Sequence, residues 1–455
     1  MSFPLAHGLG GVADLPVPLW LFYYGAALVL VFSFVALWVL WKRPVLARAS
    51  RGRPFPEGLE SAVRSSVVRV VAGAVSFALF ALVWVAAAIG DTSPDENLAP
   101  RFVFVVFWLG LPALSVLLGN VWTVLSPWRA AADAVAWASE RTGLHWETPF
   151  AYPARLGVWP GAVLLFLFAA LELAYWDPAD PRALAVAILL YSTVTWLAML
   201  AFGRDAWIEN GEAFAVYFGL LARIAPFGKR DDGRLVVRWP FTGLALLKSG
   251  PGLLAFVAVM LGSVAFDGFS QTDYWAVDFR ARLMRPVIQE SPRLADVLGS
   301  LLAAGGLLLM IVLVALAYIA AMRIAARAVR YDGDLTGPFI GSLVPIALAY
   351  VVAHYFSFFV REAQWLVPFA SDPFGFGWDL FGSADWRPDI GVLAPKTIWY
   401  AQVAALVVGH VAGLVLAHDK AVELFESPRK AAISQYAMLA LMVVYTVSGL
   451  WLLSQ

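Results

Sequence analysis

Ten apolar runs divide this 455-residue chain, and each is near the ~20 residues that carry an α-helix across a bilayer. They run about Leu19–Trp41, Val67–Gly90, Phe102–Leu125, Leu156–Trp176, Leu184–Phe202, Pro251–Phe266, Leu298–Met322, Gly337–Val360, Thr397–His418 and Ala431–Leu453. Pro251–Phe266 is the short one. The polar positions fall between them and are sorted by sign. With the N-terminus placed outside, 23 of the 32 Lys and Arg residues fall at the inner ends. An excess of basic residues marks the cytoplasmic side. The opposite connections hold the acidic stretches Asp91–Glu96 and Asp177–Asp180. The pattern predicts an all-α polytopic transmembrane helix bundle of about ten spans, with both termini outside. It forms one integral membrane domain over 1–455, with an outer tail at 1–18.

Three connections are too long and too aromatic for plain loops. Pro127–Glu140, inside, alternates small residues with Trp128 and Trp137. Within the inner segment 203–250, Phe214, Tyr217, Phe218, Leu221 and Ile224 recur near helical spacing. That predicts a helix over Trp207–Ile224 lying flat on the cytoplasmic face. The outer loop 361–396 carries seven Phe and Trp residues among Asp372, Asp379, Asp385 and Asp389. A loop so apolar is expected to fold back on the membrane surface or plug a cavity. Its aspartates lack the spacing of a calcium loop. The outer stretch 267–293 is expected to add a short helix. No fixed-period repeat or inverted pair of halves is evident.

Composition agrees with this picture. The chain is 61% hydrophobic and 14% charged, with mean hydropathy +0.76; soluble domains carry roughly 25% charged residues. The lipid bilayer is therefore its main partner. A net charge of zero argues against nucleic acid. The absence of cysteine excludes disulfides and thiolate metal sites. Twenty Trp suit interfacial belts. The first residues lack the basic segment of a cleavable signal. The expected location is a bacterial inner membrane, spanned many times.

Candidate chemistry lies in a few polar residues inside apolar runs, where ionisable groups are costly and usually functional. His354 sits about two turns from the outer surface, with Ser357 and Arg361 on its face and Glu362 one turn beyond. A His and a carboxylate there suit a metal ligand set or a general base with its partner. Packing against a neighbouring helix is the plain alternative. His410 falls near mid-membrane. Gly409 and Gly413 flank it as a small-xxx-small pair that lets another helix approach. His354 or Glu172 could be its partner there. Gln402, His410 and His418 form a polar ladder that suits a proton or ion path. His418, at the inner edge beside Asp419 and Lys420, could equally be solvated. Two histidines eight residues apart on one helix are a poor match for haem. Glu172 is the one carboxylate clearly inside a span. His7, in the Gly-rich tail, could add a ligand to His354 or belong to a mobile end.

Several stretches carry a resemblance. They are Asp14–Phe22, Gly119–Trp122 with Ser126–Arg129, Phe214–Pro226, Ala353–Phe356 and Gly409–Asp419. Together they resemble bacterial integral membrane proteins described as fenitrothion hydrolase-like. That likeness implies a membrane enzyme hydrolysing organophosphate triesters, and N-terminal histidines typical of the group add weight to His7.

Three readings follow. The first is a hydrolase of apolar esters with its site near the outer face, with His354, Glu362 and His410 as catalytic residues. His354, Glu172 and His7 would hold a divalent metal that acidifies a bound water. The second is a transporter or permease for a small solute, proton or metal ion along His354, His410 and His418. The third is a structural subunit of a membrane complex.

Overall fold

The computed structural model describes residues 18–143, 148–230, 232–389 and 391–454. Among them are nine helices long and apolar enough to cross a membrane, with almost no sheet. In chain order these are α1 (Leu19–Leu40), α2 (Ser66–Ile89), α3 (Leu98–Leu118), α6 (Pro181–Phe202), α9 (Leu253–Ser270), α10 (Pro292–Val329), α11 (Val344–Glu362), α12 (Pro395–Leu424) and α13 (Tyr436–Leu453). Between α3 and α6 lie α4 (Pro127–Thr142) and α5 (Trp159–Leu173), the latter a shorter apolar helix of 15 residues. Between α6 and α9 lie α7 (Arg204–Asn210) and α8 (Ala213–Leu221). All ten expected apolar segments are thus helical.

The starts follow local chemistry. Ser65, Asn97, Ser126, Asp180 and Ser291 each accept a backbone N–H of the following turn. Pro127, Pro181 and Pro292 occupy first helical positions, where no N–H is needed. Burial sorts the spans. α9 is enclosed over 72% of its spanning window, whereas α1 is enclosed over 17% and presents its other faces to lipid. α9 is therefore the central post, packed by α5, α10 and α11.

The two ends of the bundle differ. At the basic end, β1 (Arg53–Pro54), β2 (Phe227–Lys229) and β3 (Leu235–Val237) make a small antiparallel sheet of order β1-β3-β2. At the opposite end the aromatic loop folds back onto the turn after α2. Asp91 N donates to Phe374 O at 2.7 Å and Leu98 N to Pro373 O at 3.2 Å. Asp372 holds the loop's tip by accepting from the amides of Phe376, Gly377 and Trp378.

Two expectations need correction. Trp207–Ile224 does not lie flat on a surface. α6 ends at the basic end, α7 packs back along it, and α8 sits inside the bundle with Phe214, Tyr217, Phe218, Leu220 and Leu221 buried. The turn between them reaches Tyr191, eleven residues or ~16 Å back along α6. The chain then returns to β2 at the basic end. The segment is re-entrant, because its apolar residues surround the helix instead of marking one face. The second correction concerns Asp267, expected in an outer connection. It lies in the last turns of α9 and is fully buried. The helix expected after it follows as one continuous run, Tyr274–Glu290, exposing Tyr274, Val277, Leu283 and Ile288.

Candidate functional site

Four helices and the re-entrant segment meet around Asp267. The phenol of Tyr355 donates to Asp267 Oδ2 at 2.6 Å, and His354 Nε2 lies 2.7 Å from the same oxygen. The imidazole contact is at ion-pair distance but off the line of a well-formed hydrogen bond. His354 and Tyr355 are consecutive on α11, so their side chains diverge by ~100°. Asp267 sits between the two directions. The rings meet edge to face at 4.7 Å. All three side chains are buried.

Glu172 is buried beside this trio, at the far end of α5. It faces Trp108 Nε1, the Tyr355 hydroxyl and the charge of Asp267. None of these contacts is a well-formed hydrogen bond. Tyr355 has one proton, which goes to Asp267, and Trp108 Nε1 has no well-formed acceptor. Trp108 lies on a π-helical stretch of α3, Phe102–Gly110. Such wide turns re-aim side chains and are frequent at functional sites. Tyr217 of the re-entrant α8 stacks on Trp108 at 5.1 Å and 25°. The cluster thus assembles two carboxylates, one imidazole and two phenols in an apolar interior. Two buried negative charges so close repel strongly, which favours a shared proton or a small cation between them.

The re-entrant helix is held by Glu212, which sequence reading did not single out. Its Oε1 accepts from Phe214 N at 2.9 Å and from the Tyr191 hydroxyl. Its Oε2 accepts from Ala215 N at 2.7 Å and Trp122 Nε1 at 3.0 Å. A carboxylate capping a helix N-terminus with every lone pair used has a structural role.

The other sequence candidates separate. Glu362 does not join His354. It pairs with Arg101 Nε at 3.2 Å, and Arg101 also binds Asp95 and the Pro94 carbonyl. His410 meets neither His354 nor Glu172 in a hydrogen bond. Its Nδ1 lies 2.8 Å from Leu406 O, its ring lies against Tyr350, and its buried Nε2 has no partner. Gly409 and Gly413 do bring α11 close: a Cβ on Gly409 would fall 2.7 Å from Pro345 O, and one on Gly413 2.6 Å from Ser342 O. His418 is buried, not solvated. It bonds Gln435 through Nδ1 and the Trp41 carbonyl through Nε2 at 3.1 Å. Its neighbour Asp419 accepts from Trp41 Nε1, Val45 N and Leu46 N, fixing the chain after α1. Gln402 is buried on the same face of α12. Between His410 and His418 that face offers Gly413, Leu414 and Ala417, so no polar side chain links them there.

His7 lies outside the described residues. Among those described, no group of three or more His, Asp or Glu is arranged to hold a metal ion. His354 Nε2 is directed to Asp267, and Glu172 stands across Tyr355 from it, so these donors do not fit a divalent ion as they stand.

An apolar cleft of about 180 Å³ opens beside α9, lined by Ala265, Phe269, Tyr350, Tyr445, Ser448 and Trp451. Asp267 could have been found in the sequence by running the short sixth segment on to Ser270. That gives a full 18-residue helix with an acid in its last turns. Comparison with known proteins finds no matching family model, no matching curated protein and no matching solved structure.

Proposed function

We propose that this multi-pass membrane protein hydrolyses apolar esters by acid–base chemistry at the Asp267–His354–Tyr355–Glu172 cluster. The observation that carries the reading is the single Asp267 oxygen shared by His354 Nε2 and the Tyr355 hydroxyl. A buried carboxylate on one ring nitrogen fixes the tautomer and leaves the other as a base. With Nε2 facing Asp267 at ion-pair distance, Nδ1 takes a proton from water as the oxygen attacks the ester centre. The P–O or C–O bond to the leaving group breaks. The imidazolium, stabilised by Asp267, returns the proton to the departing oxygen. Glu172, beside Asp267 and Tyr355, adds a second carboxyl group to the cluster. The substrate class is one that dissolves in lipid, such as an organophosphate triester. The resemblance to fenitrothion hydrolase-like proteins points the same way. A ten-pass topology with both termini outside, read from the basic residues, puts the cluster in the outer half of a bacterial inner membrane.

A second reading has its own observation. Two buried carboxylates sharing one imidazole beside a re-entrant helix also suit binding and release of a proton or small cation, as in transporters built on interrupted helices. One comparison separates the two. Purified protein is assayed on p-nitrophenyl phosphotriesters and carboxyl esters in mixed micelles, and in liposomes for proton flux. For the hydrolase, His354→Gln lowers turnover about 10²–10⁴-fold, as loss of a general base does. Turnover that survives His354→Gln, or flux that the substitution abolishes with no hydrolysis in the parent, overturns it. Absence of both, with a stable co-purifying partner, favours a structural subunit. Metal content of the same preparations tests the divalent ion. One equivalent lost in His354→Gln would make that residue a ligand instead of the base, and His7→Ala would show whether the tail contributes.

A further inference from the structure

The basic end carries a groove of about 1030 Å³ between the chain after α1 and the end of β3. Arg48, Arg53 and Arg238 line it, with Val45 and Trp239. Its floor is the β1–β3 pairing, where Gly52 takes φ +52°. Only glycine fits there, since a Cβ would meet the Val237 carbonyl.

The cations around this groove have no counter-ions among the described residues. Among the described residues, none of Arg48, Arg53, Arg223 and Arg238 makes an ion pair. The neighbouring acids are engaged elsewhere: Glu60 by Arg64, Arg234 and the Leu235 amide, and Asp232 by Arg230. Arg223 and Arg238 are also partly withdrawn from water. Burial pushes both guanidiniums below the usual arginine range, and the charge of Arg223 adds to the effect on Arg238. Their N–H groups reach only carbonyls at 3.4 Å: Arg223 donates to Gly243 O, and Arg238 to Ala225 O and Arg223 O. Half-buried cations placed side by side without carboxylates are costly unless an anion joins them. The groove also stands at headgroup level. It begins five residues after α1 ends, and Leu40, Trp38 and Val39 on α1 are exposed toward lipid. Trp239 is 77% exposed at its rim, as an interfacial tryptophan would be.

We propose that this groove binds the phosphate of an anionic phospholipid from the leaflet at the basic end, with the acyl chains running along α1. Arg48 and Arg53 reach the phosphate from the chain after α1, and Arg238 meets it from β3. Trp239 packs on the glycerol region. The bound lipid then clamps the chain after α1 to the β3 strand. This reading is independent of the chemistry proposed at Asp267.

The test is native mass spectrometry of the full chain released from mild detergent, titrated with phosphatidylglycerol or phosphatidylcholine. Parent protein is compared with the double variant Arg48→Gln/Arg53→Gln, both exposed positions. The expected result is one phosphatidylglycerol retained with a preference on the order of 100-fold over phosphatidylcholine, from about three basic side chains at the surface. The preference falls at least about tenfold in the double variant. Melting curves with each lipid guard against misfolding: phosphatidylglycerol should raise the midpoint of the parent and not of the variant. Equal retention of the two lipids, or an undiminished preference in the variant, overturns the proposal. Inorganic phosphate competing as well as phosphatidylglycerol would assign the groove to a soluble anion and also overturn it.

Discussion

Glu212→Gln is the substitution whose cost can be worked out most fully. The carboxylate takes four hydrogen bonds, two on each oxygen: Phe214 N and the Tyr191 hydroxyl on Oε1, Ala215 N and Trp122 Nε1 on Oε2. Glutamine keeps the shape but converts one oxygen to an NH₂ group. Either orientation of the amide then faces two donors with two hydrogens. Two donors lose their acceptor, two bonds weaken from charge-assisted to neutral, and the amide's own hydrogens gain nothing. Bonds to charged groups contribute about 1.5–3 kcal/mol each and neutral ones about 1 kcal/mol. Losing two and weakening two therefore costs roughly 4–10 kcal/mol. Relief from burying a charge offsets part of this, leaving about 3 kcal/mol.

The assay is thermal unfolding in detergent, followed by the fraction that stays monodisperse on size exclusion. A loss near 3 kcal/mol lowers the midpoint by on the order of 5 °C or more. Tyr191→Phe removes one donor and should cost about a third as much. Combined with Glu212→Gln it should add little, since the two share one network. A glutamine variant melting within a degree of the parent, or strict additivity of the two, would refute the claim that this carboxylate holds the re-entrant helix.

Two further substitutions probe other parts of the bundle. Gly409→Ala places a methyl against Ala349 and Pro345 O and should destabilise by about 1–3 kcal/mol, whereas Gly25→Ala, with open space around it, should be neutral within about 0.5 kcal/mol in the same melts. At the basic end, Asp205 is held below the usual carboxylate range by its hydrogen bond to Arg204 and the nearby charges of Arg204 and Arg129, partly opposed by burial. A depressed folded pKa gives stability that is present above the unfolded value near 3.9 and lost as pH falls through the folded one. The gap in melting temperature between parent and Asp205→Asn should stay constant above about pH 5 and close below about pH 4. A gap unchanged at pH 3 would mean the pair contributes nothing.

The spans were legible because hydropathy over twenty residues integrates many weak signals. Ser65, Asn97 and Asp180 then fixed where three of them begin. What misled was local. α8 reads as an amphipathic surface helix because Phe214, Tyr217, Phe218 and Leu221 recur at helical spacing, but its remaining residues are also apolar, and a helix apolar all round is buried. Asp267 was cut from its helix because an acid normally ends a span. Here a tyrosine and a histidine supplied from α11, invisible in the local sequence, make the acid tolerable. Of the candidate residues, His354 and Glu172 come into one cluster, whereas Glu362, His410 and His418 each meet partners set by tertiary packing. Helical spacing could relate His410 to His418. It could not show that Arg101 lies across from Glu362.

The re-entrant helix also bears on how the protein is made. Insertion machinery releases apolar segments sideways into lipid one after another, and a nine-residue helix cannot span. α8 carries a carboxylate at its tip that lipid would reject. The side-chain donors to that carboxylate, Trp122 and Tyr191, belong to segments already synthesised. Of the helices packed against α8, α3 and α5 precede it in the chain and α11 comes later. α8 therefore has most of its dock in place when it is made, and α11 seals it afterwards. Until α8 docks, the stacking of Tyr217 on Trp108 beside Glu172 does not exist, and until α11 follows, His354 and Tyr355 are missing from the cluster at Asp267.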